Sequence, residues 1–357
     1  MIKKLLMKRL LLVLLMTIPC WSAQVIRYVD TDATGGTYNG ESWGTAYQSL
    51  AAWGAAEGTN LVSDGNYHTV YCRASGGTAD TGPILISGWT TDATHYIEII
   101  GFDFPATGIL DETAYRITAT NTSALTLGEE NVRISNIQII VTCTATAYGI
   151  AVSITGSPID VRIDSCIVKG ICSGSGTGMG ISGGTDTDVV IKISNTVVYG
   201  FISGADTEFR GIYSPAWVTA DIYNCTIYNC GYGVTRASFG TTTVKNCAIG
   251  TCNDDINGTV TVDYCCTDDG DGNHAQDALS GDWDNEFTDA NNGNFTPVVG
   301  GNIIANDLND PGGGLYSLDI IDAAYVTDAW NIGAYAGDGS AADTGTTNWW
   351  WRRRHNK

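Results

Sequence analysis

A short motif recurs along the middle of this chain and constrains its fold more than any other feature. Each copy has an apolar residue, a variable residue, an Asn or Ser, and then a small or apolar residue. The copies begin at Ile134, Ile163, Ile193, Ile222 and Val244, and a degraded copy begins at Val262. Successive copies are 29, 30, 29, 22 and 18 residues apart. Self-similarity at a period of about 20–30 residues indicates stacked units rather than one globular core.

A second column of residues keeps the same register. It consists of the pairs Gly149-Ile150, Gly180-Ile181, Gly211-Ile212, Gly233-Val234 and Asp255-Ile256. Alternation of period two with many Val, Ile and Thr indicates short strands. A coil that stacks on itself satisfies such strands, with equivalent residues ~4.8 Å apart. An inward Asn at each bend would then bond the coils above and below. The alternative, a β-sandwich, gives no reason for a recurring Asn.

The recurring Asn also carries a family resemblance. The column of Asn136, Asn195, Asn224 and Asn246, with Ser165 among them, is similar to the asparagine ladder of the pectate-lyase-like superfamily. The chain thereby resembles the secreted repeat proteins of that superfamily, and the resemblance spans residues 25–337. It implies an all-β fold, a right-handed parallel β-helix. The superfamily hosts lyases, hydrolases, epimerases and non-enzymatic adhesins, so the fold leaves the activity open.

The two ends of the chain carry the same resemblance. Residues 28–50 resemble the opening of many secreted bacterial β-helix proteins, in which a short helix caps the first coil. Ser42 is the predicted N-cap of that helix. The residues predicted to share one face of it are Trp43, Ala46, Tyr47 and Leu50. Asn331–Tyr335 resembles the closing segment of the same proteins.

The chain divides into three parts. Residues 1–23 are a predicted secretory signal peptide, because Lys3, Lys4, Lys8 and Arg9 precede an apolar run that is too short to span a bilayer. Residues 24–337 are the predicted β-helix, with an irregular C-terminal closure from about residue 267. Residues 338–357 are a predicted flexible linker and a tail rich in Trp and Arg. The predicted location is therefore secreted or at the cell surface, with no transmembrane span.

The net charge of the chain limits the kinds of partner that it can bind. Eighteen Lys and Arg residues oppose 38 Asp and Glu residues, which gives a net charge of −20. Such a body repels nucleic acid and anionic membranes, so no nucleic-acid partner is expected. Export permits disulfides. However, Cys166, Cys225, Cys247 and Cys265 share one repeated column, and this favours a ladder of buried thiols over bridges.

The Gly-Ile column is the candidate for the functional sheet. In β-helix enzymes of this superfamily, the working surface is usually the outer face of one sheet. Residues two positions before each Ile or Val are Tyr148, Met179, Arg210, Tyr232 and Asp254. Residues one position after are Ala151, Ser182, Tyr213, Thr235 and Asn257. The alternative interpretation is that these are ordinary turn residues near the strand starts.

The candidate substrate-binding residues are Tyr148, Tyr213, Tyr232 and Arg236. The tyrosines would stack on sugar rings, while Arg210 and Arg236 would bind carboxylate or sulfate groups. The candidate catalytic residues are Arg210, Asp254 and Asp255. Arg210 is the candidate base of a lyase reaction, as the resemblance implies. The chain lacks the catalytic set of polygalacturonases and a column of carboxylates that would cage Ca²⁺.

An acidic segment further along suggests a metal site. Asp269, Asp271 and Asn273 match the first three ligand positions of a calcium loop. His274 replaces the expected turn glycine, and Ser280 stands where the last ligand would be Glu. Ca²⁺ is thus the candidate cofactor, and the alternative is a solvated loop.

The function predicted from these features is an exported β-helix protein that binds an extracellular polysaccharide along one lateral sheet. A non-catalytic surface adhesin or scaffold fits the missing catalytic sets. The alternative is a polysaccharide lyase or glycoside hydrolase that acts on an acidic glycan. The sequence does not decide between binding and catalysis.

Overall fold

The computed structural model describes residues 22–154, 159–184, 189–204, 208–268, 270–277, 282–304, 318–321 and 331–336. Most of the predicted signal peptide and the whole predicted tail, residues 338–357, lie outside the described residues. Among the described residues, no helix is long and apolar enough to cross a membrane.

Three sheets of parallel strands make up the body of the protein. With strands numbered in chain order, sheet 1 contains β1 (Ala23–Asp30), β2 (Asn66–Arg73), β5 (Ile97–Gly101), β8 (Asn131–Ser135), β11 (Ile159–Asp164), β14 (Val189–Ser194), β17 (Thr219–Tyr223), β20 (Thr241–Lys245) and β23 (Thr261–Asp263).

Sheet 2 contains β3 (Asp80–Thr81), β6 (Arg116–Thr120), β9 (Gln138–Cys143), β12 (Ile167–Cys172), β15 (Val197–Tyr199), β18 (Thr226–Tyr228), β21 (Ala248–Gly250), β24 (Cys266–Thr267) and β25 (Gln276–Asp277). Sheet 3 contains β4 (Ile84–Ile86), β7 (Leu125–Leu127), β10 (Ala147–Val152), β13 (Gly178–Ser182), β16 (Arg210–Ser214), β19 (Tyr232–Arg236) and β22 (Asp254–Asn257).

The chain visits the three sheets in turn, so that one circuit forms one coil. Each strand pairs in parallel with the strand of the same sheet in the next circuit, as β8 pairs with β11 and β11 with β14. In sheet 1 this register places Ile134 beside Ile163 and Ile163 beside Ile193. All three side chains are buried. The predicted right-handed parallel β-helix is therefore confirmed.

The bends between sheets 1 and 2 form the predicted ladder. All members have a left-handed backbone, with φ between 49° and 59°, and they are Asn136, Ser165, Asn195, Asn224 and Asn246. The backbone N–H of Asn195 donates to the carbonyl of Tyr223 on the next coil, and that of Asn224 donates to Lys245. Among residues with a Cβ, Asn tolerates this conformation best. The recurring Asn thus follows from a tight bend whose polar groups are buried.

Cysteines line the interior beside this ladder. The described cysteines form no disulfide. Instead, the backbone N–H of Cys225 donates to the Sγ of Cys247, and that of Cys247 donates to the Sγ of Cys265. Burial raises the pKa of the Cys247 thiol. The column is therefore a ladder of buried cysteines linked by backbone-to-sulfur hydrogen bonds.

The first coil is capped differently from the prediction. Ser42 begins only a 3₁₀ turn, Trp43–Thr45. The chain then extends, because Tyr47 exchanges backbone hydrogen bonds with Tyr28 and Asp30 and so continues sheet 1. The capping helix α1 (Leu50–Glu57) starts after Ser49, whose side chain accepts a hydrogen bond from the N–H of Ala52. A short helix α2 (Leu61–Asp64) follows. The capping helix exists, but its predicted start at Ser42 is wrong.

The C-terminal part returns over sheet 2. It begins with a 3₁₀ turn, Trp283–Asn285, followed by β26 (Phe287–Asp289), a second 3₁₀ turn, Ala290–Asn292, and β27 (Asn294–Pro297). β26 and β27 form an antiparallel hairpin. Phe295 packs against the rings of Tyr199 and Tyr228. The hydroxyl of Tyr335 donates to the carbonyl of Gly108. The outer face of sheet 2 is thereby covered around Tyr199 and Tyr228, although Ile171 on β12 stays 51% exposed. The outer faces of sheets 1 and 3 are therefore the ones to consider for binding.

Candidate functional site

The outer face of sheet 3 carries the residues that the Gly-Ile column singles out. Register pairs join Tyr148 to Met179, Met179 to Arg210, Arg210 to Tyr232 and Tyr232 to Asp254. A parallel column runs through Ala151, Ser182, Tyr213, Thr235 and Asn257. The order of neighbours is the one that the sequence spacing predicts.

The surroundings of the glycines in sheet 3 show which side chains of its strands face outward. A Cβ built on Gly180 would lie 2.3 Å from Cγ1 of Val198 and 2.6 Å from the carbonyl oxygen of Gly211. Val198 belongs to the buried core, so Gly180 faces inward, and the fully buried Ile181 does so too. Consequently, the residues on either side of each Gly-Ile pair face outward. Alanine at such a glycine would collide with the core.

Arg210 and two tyrosines meet on this face. The guanidinium carbon of Arg210 lies 5.0 Å from the ring centroid of Tyr213 and 6.0 Å from that of Tyr232. Its Nη2 lies 3.3 Å from Oε2 of Glu208, and 14% of the Arg210 side chain is exposed. Ring faces and a carboxylate both stabilise a cation. Glu208 and the two partly exposed tyrosine rings thus hold the Arg210 guanidinium in place.

Tyr148 extends the same strip. It stands two coils from Arg210, with Met179 between them. At ~4.8 Å per coil, its Cα lies about 10 Å from that of Arg210. Tyr148 is half-buried. We call the outward residues Tyr148, Arg210, Tyr213 and Tyr232 the sheet 3 strip.

The two candidate carboxylates have different places. Asp254 continues the column one coil beyond Tyr232, and its Oδ2 accepts a hydrogen bond from the Nδ2 of Asn257 at 3.1 Å. Asp255 occupies the inward glycine position of the column and is 3% exposed. Its Oδ2 accepts the backbone N–H of Asp268 at 2.6 Å. The structure therefore brings Asp254 to the strip and places Asp255 inside the last coil.

Arg236 is the last residue of β19 and lies off the strip. Its Nη1 donates to the carbonyl of Thr259, and its Nη2 donates to that of Gly240 at 2.8 Å. Both carbonyls belong to turns on neighbouring coils. The guanidinium is thus held by backbone oxygens, and the structure does not bring it to Arg210.

The predicted calcium loop is only partly described. Asp269 lies outside the described residues. The backbone N–H of Asp271 donates to Oγ1 of Thr267, and Asn273 exchanges backbone hydrogen bonds with Val262 and Tyr264. The ring of His274 stacks on Tyr264 with centroids 4.4 Å apart. Within the described ranges, no group of three His, Cys, Asp or Glu side chains is arranged to hold a metal. Ca²⁺ stays a prediction.

A concave site lies on sheet 1, and the sequence reasoning missed it. A cavity of about 490 Å³ opens between residues 91–93 and the starts of β8, β11 and β14. Its lining residues are Thr91, Asp92, Ala93, Glu130, Asn131, Ile159, Asp160, Val190 and Lys192. We call it the sheet 1 cleft. Its volume is within the range of small-molecule sites, about 300–1,000 Å³.

An ion pair orders one wall of this cleft. Asp160 Oδ2 lies 2.7 Å from Nη2 of Arg162, and Asp160 Oδ1 lies 3.1 Å from Nζ of Lys192. Burial would raise the pKa of Asp160, but the two cations outweigh it and lower that pKa. The sequence could have indicated this charged wall. Arg133, Arg162 and Lys192 occupy the same position in successive repeats, and they lie beside one another in sheet 1.

On the opposite wall, Asp92 is fixed by its own turn. It accepts hydrogen bonds from the backbone N–H groups of Thr94 and His95 at 2.7 and 2.8 Å, and from the Thr94 hydroxyl. The His95 ring lies against the same carboxylate, with Nδ1 2.9 Å from Oδ1. Burial would raise the pKa of Asp92, yet these hydrogen bonds together outweigh it and hold that pKa well below its usual value.

Comparisons with known proteins give one solved structure. The crystal structure of pectate lyase Pel9A aligns with 88% of this chain and 96% of its own, at 14% sequence identity and a TM-score of 0.32. No protein-family model matches the chain, and no curated protein matches its sequence. The fold given above rests on the strand register.

Proposed function

We propose that this protein is an exported carbohydrate-binding β-helix protein that holds an extracellular polysaccharide along the sheet 3 strip. The observation that carries the proposal is the position of the Arg210 guanidinium, 5.0 and 6.0 Å from the ring centroids of Tyr213 and Tyr232. Aromatic faces pack against the C–H faces of sugars, and an Arg fork binds hydroxyl or carboxylate oxygens. Tyr148 lengthens the strip in the direction of the coil axis.

Binding is favoured over catalysis because of the state of Arg210. A lyase base must accept a proton, so its neutral form must be accessible. A guanidinium is a donor of hydrogen bonds and not an acceptor. The Arg210 guanidinium already contacts Glu208 at 3.3 Å and lies beside two ring faces. Arg210 is therefore better suited to hold an oxygen of the glycan than to remove a proton from it.

The position of the carboxylates supports the same proposal. Asp254 follows Tyr232 by one coil, so its Cα lies about 10 Å from that of Arg210. Asp255 faces inward and is almost fully buried. An acid and base pair that shares one glycosidic bond needs two accessible carboxyl groups. Of the two predicted catalytic acids, Asp254 and Asp255, Asp254 alone faces the strip.

Export is supported by the sequence alone. Four cations precede the apolar run Leu10–Ile18, as in secretory signal peptides. A protein of net charge −20 stays soluble outside the cell. The polysaccharide partner is thus proposed to be extracellular.

Retention on immobilised polysaccharides tests the proposal. Purified protein is applied to a panel of acidic and neutral polysaccharides, and bound protein and released sugar ends are both measured. We expect retention on at least one polysaccharide and about a tenfold loss of affinity for Tyr232→Ala. Tyr67→Ala is the matched control, because Tyr67 is also a half-buried tyrosine stacked on another ring but belongs to sheet 1. Equal retention of wild type and Tyr232→Ala would refute the proposal.

A further inference from the structure

The sheet 1 cleft combines a non-polar floor with a polar rim. Ala93 and Val190 supply accessible apolar surface to the cavity of about 490 Å³, and Ile159 borders it from the buried core. The rim carries carboxylates, an ammonium group, a hydroxyl and an amide. A concave site of this size, mostly apolar and with a few placed polar groups, is the usual form of a small-molecule site.

The rim offers both donors and acceptors of hydrogen bonds. Lys192 can only donate, and the carboxylates of Glu130 and Asp160 accept. Asn131 is 8% exposed, and its Nδ2 lies 3.4 Å from Oγ1 of Thr91. A sugar hydroxyl can donate and accept at once, so a polyol can satisfy neighbouring groups of either kind.

The charges in the cleft argue against other ligand classes. Three carboxylates, Asp92, Glu130 and Asp160, line the cleft together with Lys192. Arg162 also pairs with Asp160. Carboxylates still outnumber cations, so an anionic ligand would meet repulsion. A metal ion would need a cluster of ligating side chains, and the described part of the chain contains no such group. A neutral ligand agrees best with the lining.

We propose that the sheet 1 cleft binds one pyranose unit of a neutral glycan. The C–H face of the sugar lies on Val190, and its hydroxyl groups bond Lys192 and Glu130. The site is on a different sheet from the sheet 3 strip, which makes it independent of the function proposed above. The protein then has two carbohydrate contacts of different charge preference on two outer faces.

Calorimetric titration of the full-length protein with neutral hexasaccharides of glucose, xylose, mannose and galactose tests this inference. Val190→Trp fills the cleft, and Glu130→Gln removes one acceptor charge. We expect at least one hexasaccharide to bind wild type, Val190→Trp to lose at least tenfold in affinity, and Glu130→Gln about tenfold, because a hydrogen bond to a charged group is lost. Thr219→Trp is the matched control, since Thr219 is the register neighbour of Val190 but does not line the cleft.

The outcomes separate the two sites. Loss of hexasaccharide binding in Val190→Trp together with unchanged binding in Tyr232→Ala supports the cleft. No binding of any hexasaccharide to wild type, or wild-type affinity in Val190→Trp, overturns it. Neither of those results bears on retention of polysaccharide by the sheet 3 strip. A circular-dichroism melt of each variant distinguishes lost binding from lost folding, and Glu130→Gln keeps the test valid if Val190→Trp does not fold.

Discussion

The side-chain amide of Asn224 points directly at that of Asn195 on the preceding coil, with Nδ2 3.4 Å from Oδ1. Asn195 in turn donates its Nδ2 to Oδ1 of Asp164 at 2.9 Å. Both asparagines are nearly fully buried and have a left-handed backbone. A line of side-chain hydrogen bonds therefore joins Asp164, Asn195 and Asn224 across successive bends. It stops at Asn246, whose side-chain amide has no hydrogen-bond partner among the described residues.

Replacing Asn224 should reveal two separable costs. Asn224→Ala loses the side-chain hydrogen bond and places an alanine Cβ in the left-handed region, each worth about 1 kcal/mol. Asn224→Gly loses only the hydrogen bond, because glycine tolerates that backbone. We expect a fall in unfolding free energy of about 2–3 kcal/mol for Asn224→Ala and a smaller fall for Asn224→Gly, measured by urea denaturation. Equal values for the two variants would contradict the role of the backbone.

Gly180 should tolerate no side chain. A Cβ there would lie 2.3 Å from Val198 and 2.6 Å from a backbone oxygen. Gly180→Ala is expected to lose about 3 kcal/mol or fail to fold, since overpacking in a tight core costs about 1–3 kcal/mol or more. Gly44→Ala is the matched control, because only Ser42 lies within 4 Å, at 3.8 Å. A thermal melt compares them. A melting temperature of Gly180→Ala equal to that of wild type would show that the glycine does not face the core.

Asp30 should make the unfolding free energy depend on pH in the acidic range. Burial would raise its pKa, but hydrogen bonds from Arg73, Ser75 and Asp32 outweigh it, so the pKa of Asp30 in the folded state lies below the usual 3.8. A lowered folded pKa means that the ionised carboxylate stabilises the protein above about pH 4, and that this contribution fades as pH falls through the folded pKa. Asp30→Asn is therefore expected to be less stable than wild type at pH 7, and the difference should shrink as the pH falls through the folded-state pKa of Asp30. Denaturation across that range provides the measurement. A difference that stays constant with pH would contradict the account.

Arg210 should be required for its shape as well as its charge. Lys keeps the charge, yet it lacks the planar fork that lies against Tyr213 and Tyr232. Arg210→Lys is expected to bind the retained polysaccharide about tenfold more weakly than wild type, with a similar unfolding free energy. Arg133→Gln is a useful control, because the Arg133 guanidinium lies 3.5 Å from the ring centroid of Tyr96 on sheet 1 and off the strip. Wild-type affinity in Arg210→Lys would mean that charge alone suffices.

The sequence predicts the coil and its register because stacking repeats the same environment. Ile134, Ile163 and Ile193 share a motif position and lie side by side in the structure. For the same reason, Asp255 could have been placed inside the coil, since it stands where earlier repeats have glycine. Position in the repeat, rather than charge, decides its orientation.

Other features depend on contacts between distant segments. The capping helix begins later than the sequence predicts, because Tyr47 first pairs with sheet 1. The sheet 1 cleft joins Asp92 to Lys192, 100 residues further along the chain. The covering of sheet 2 by Phe295 and Tyr335 likewise falls outside any repeat. Periodicity describes what recurs, and these contacts occur once.

The sheet 3 strip is proposed to hold a polysaccharide without cleaving it. The most direct measurement is one binding titration of the polysaccharide that wild type retains, with wild type, Tyr213→Ala, Tyr232→Ala and the control Tyr67→Ala. Released reducing and unsaturated ends are assayed in the same samples. The account predicts that both strip variants lose at least about tenfold in affinity, that the control does not, and that no sample releases sugar ends. Unchanged affinity in both strip variants, or release of ends that stops in Arg210→Ala, would contradict it.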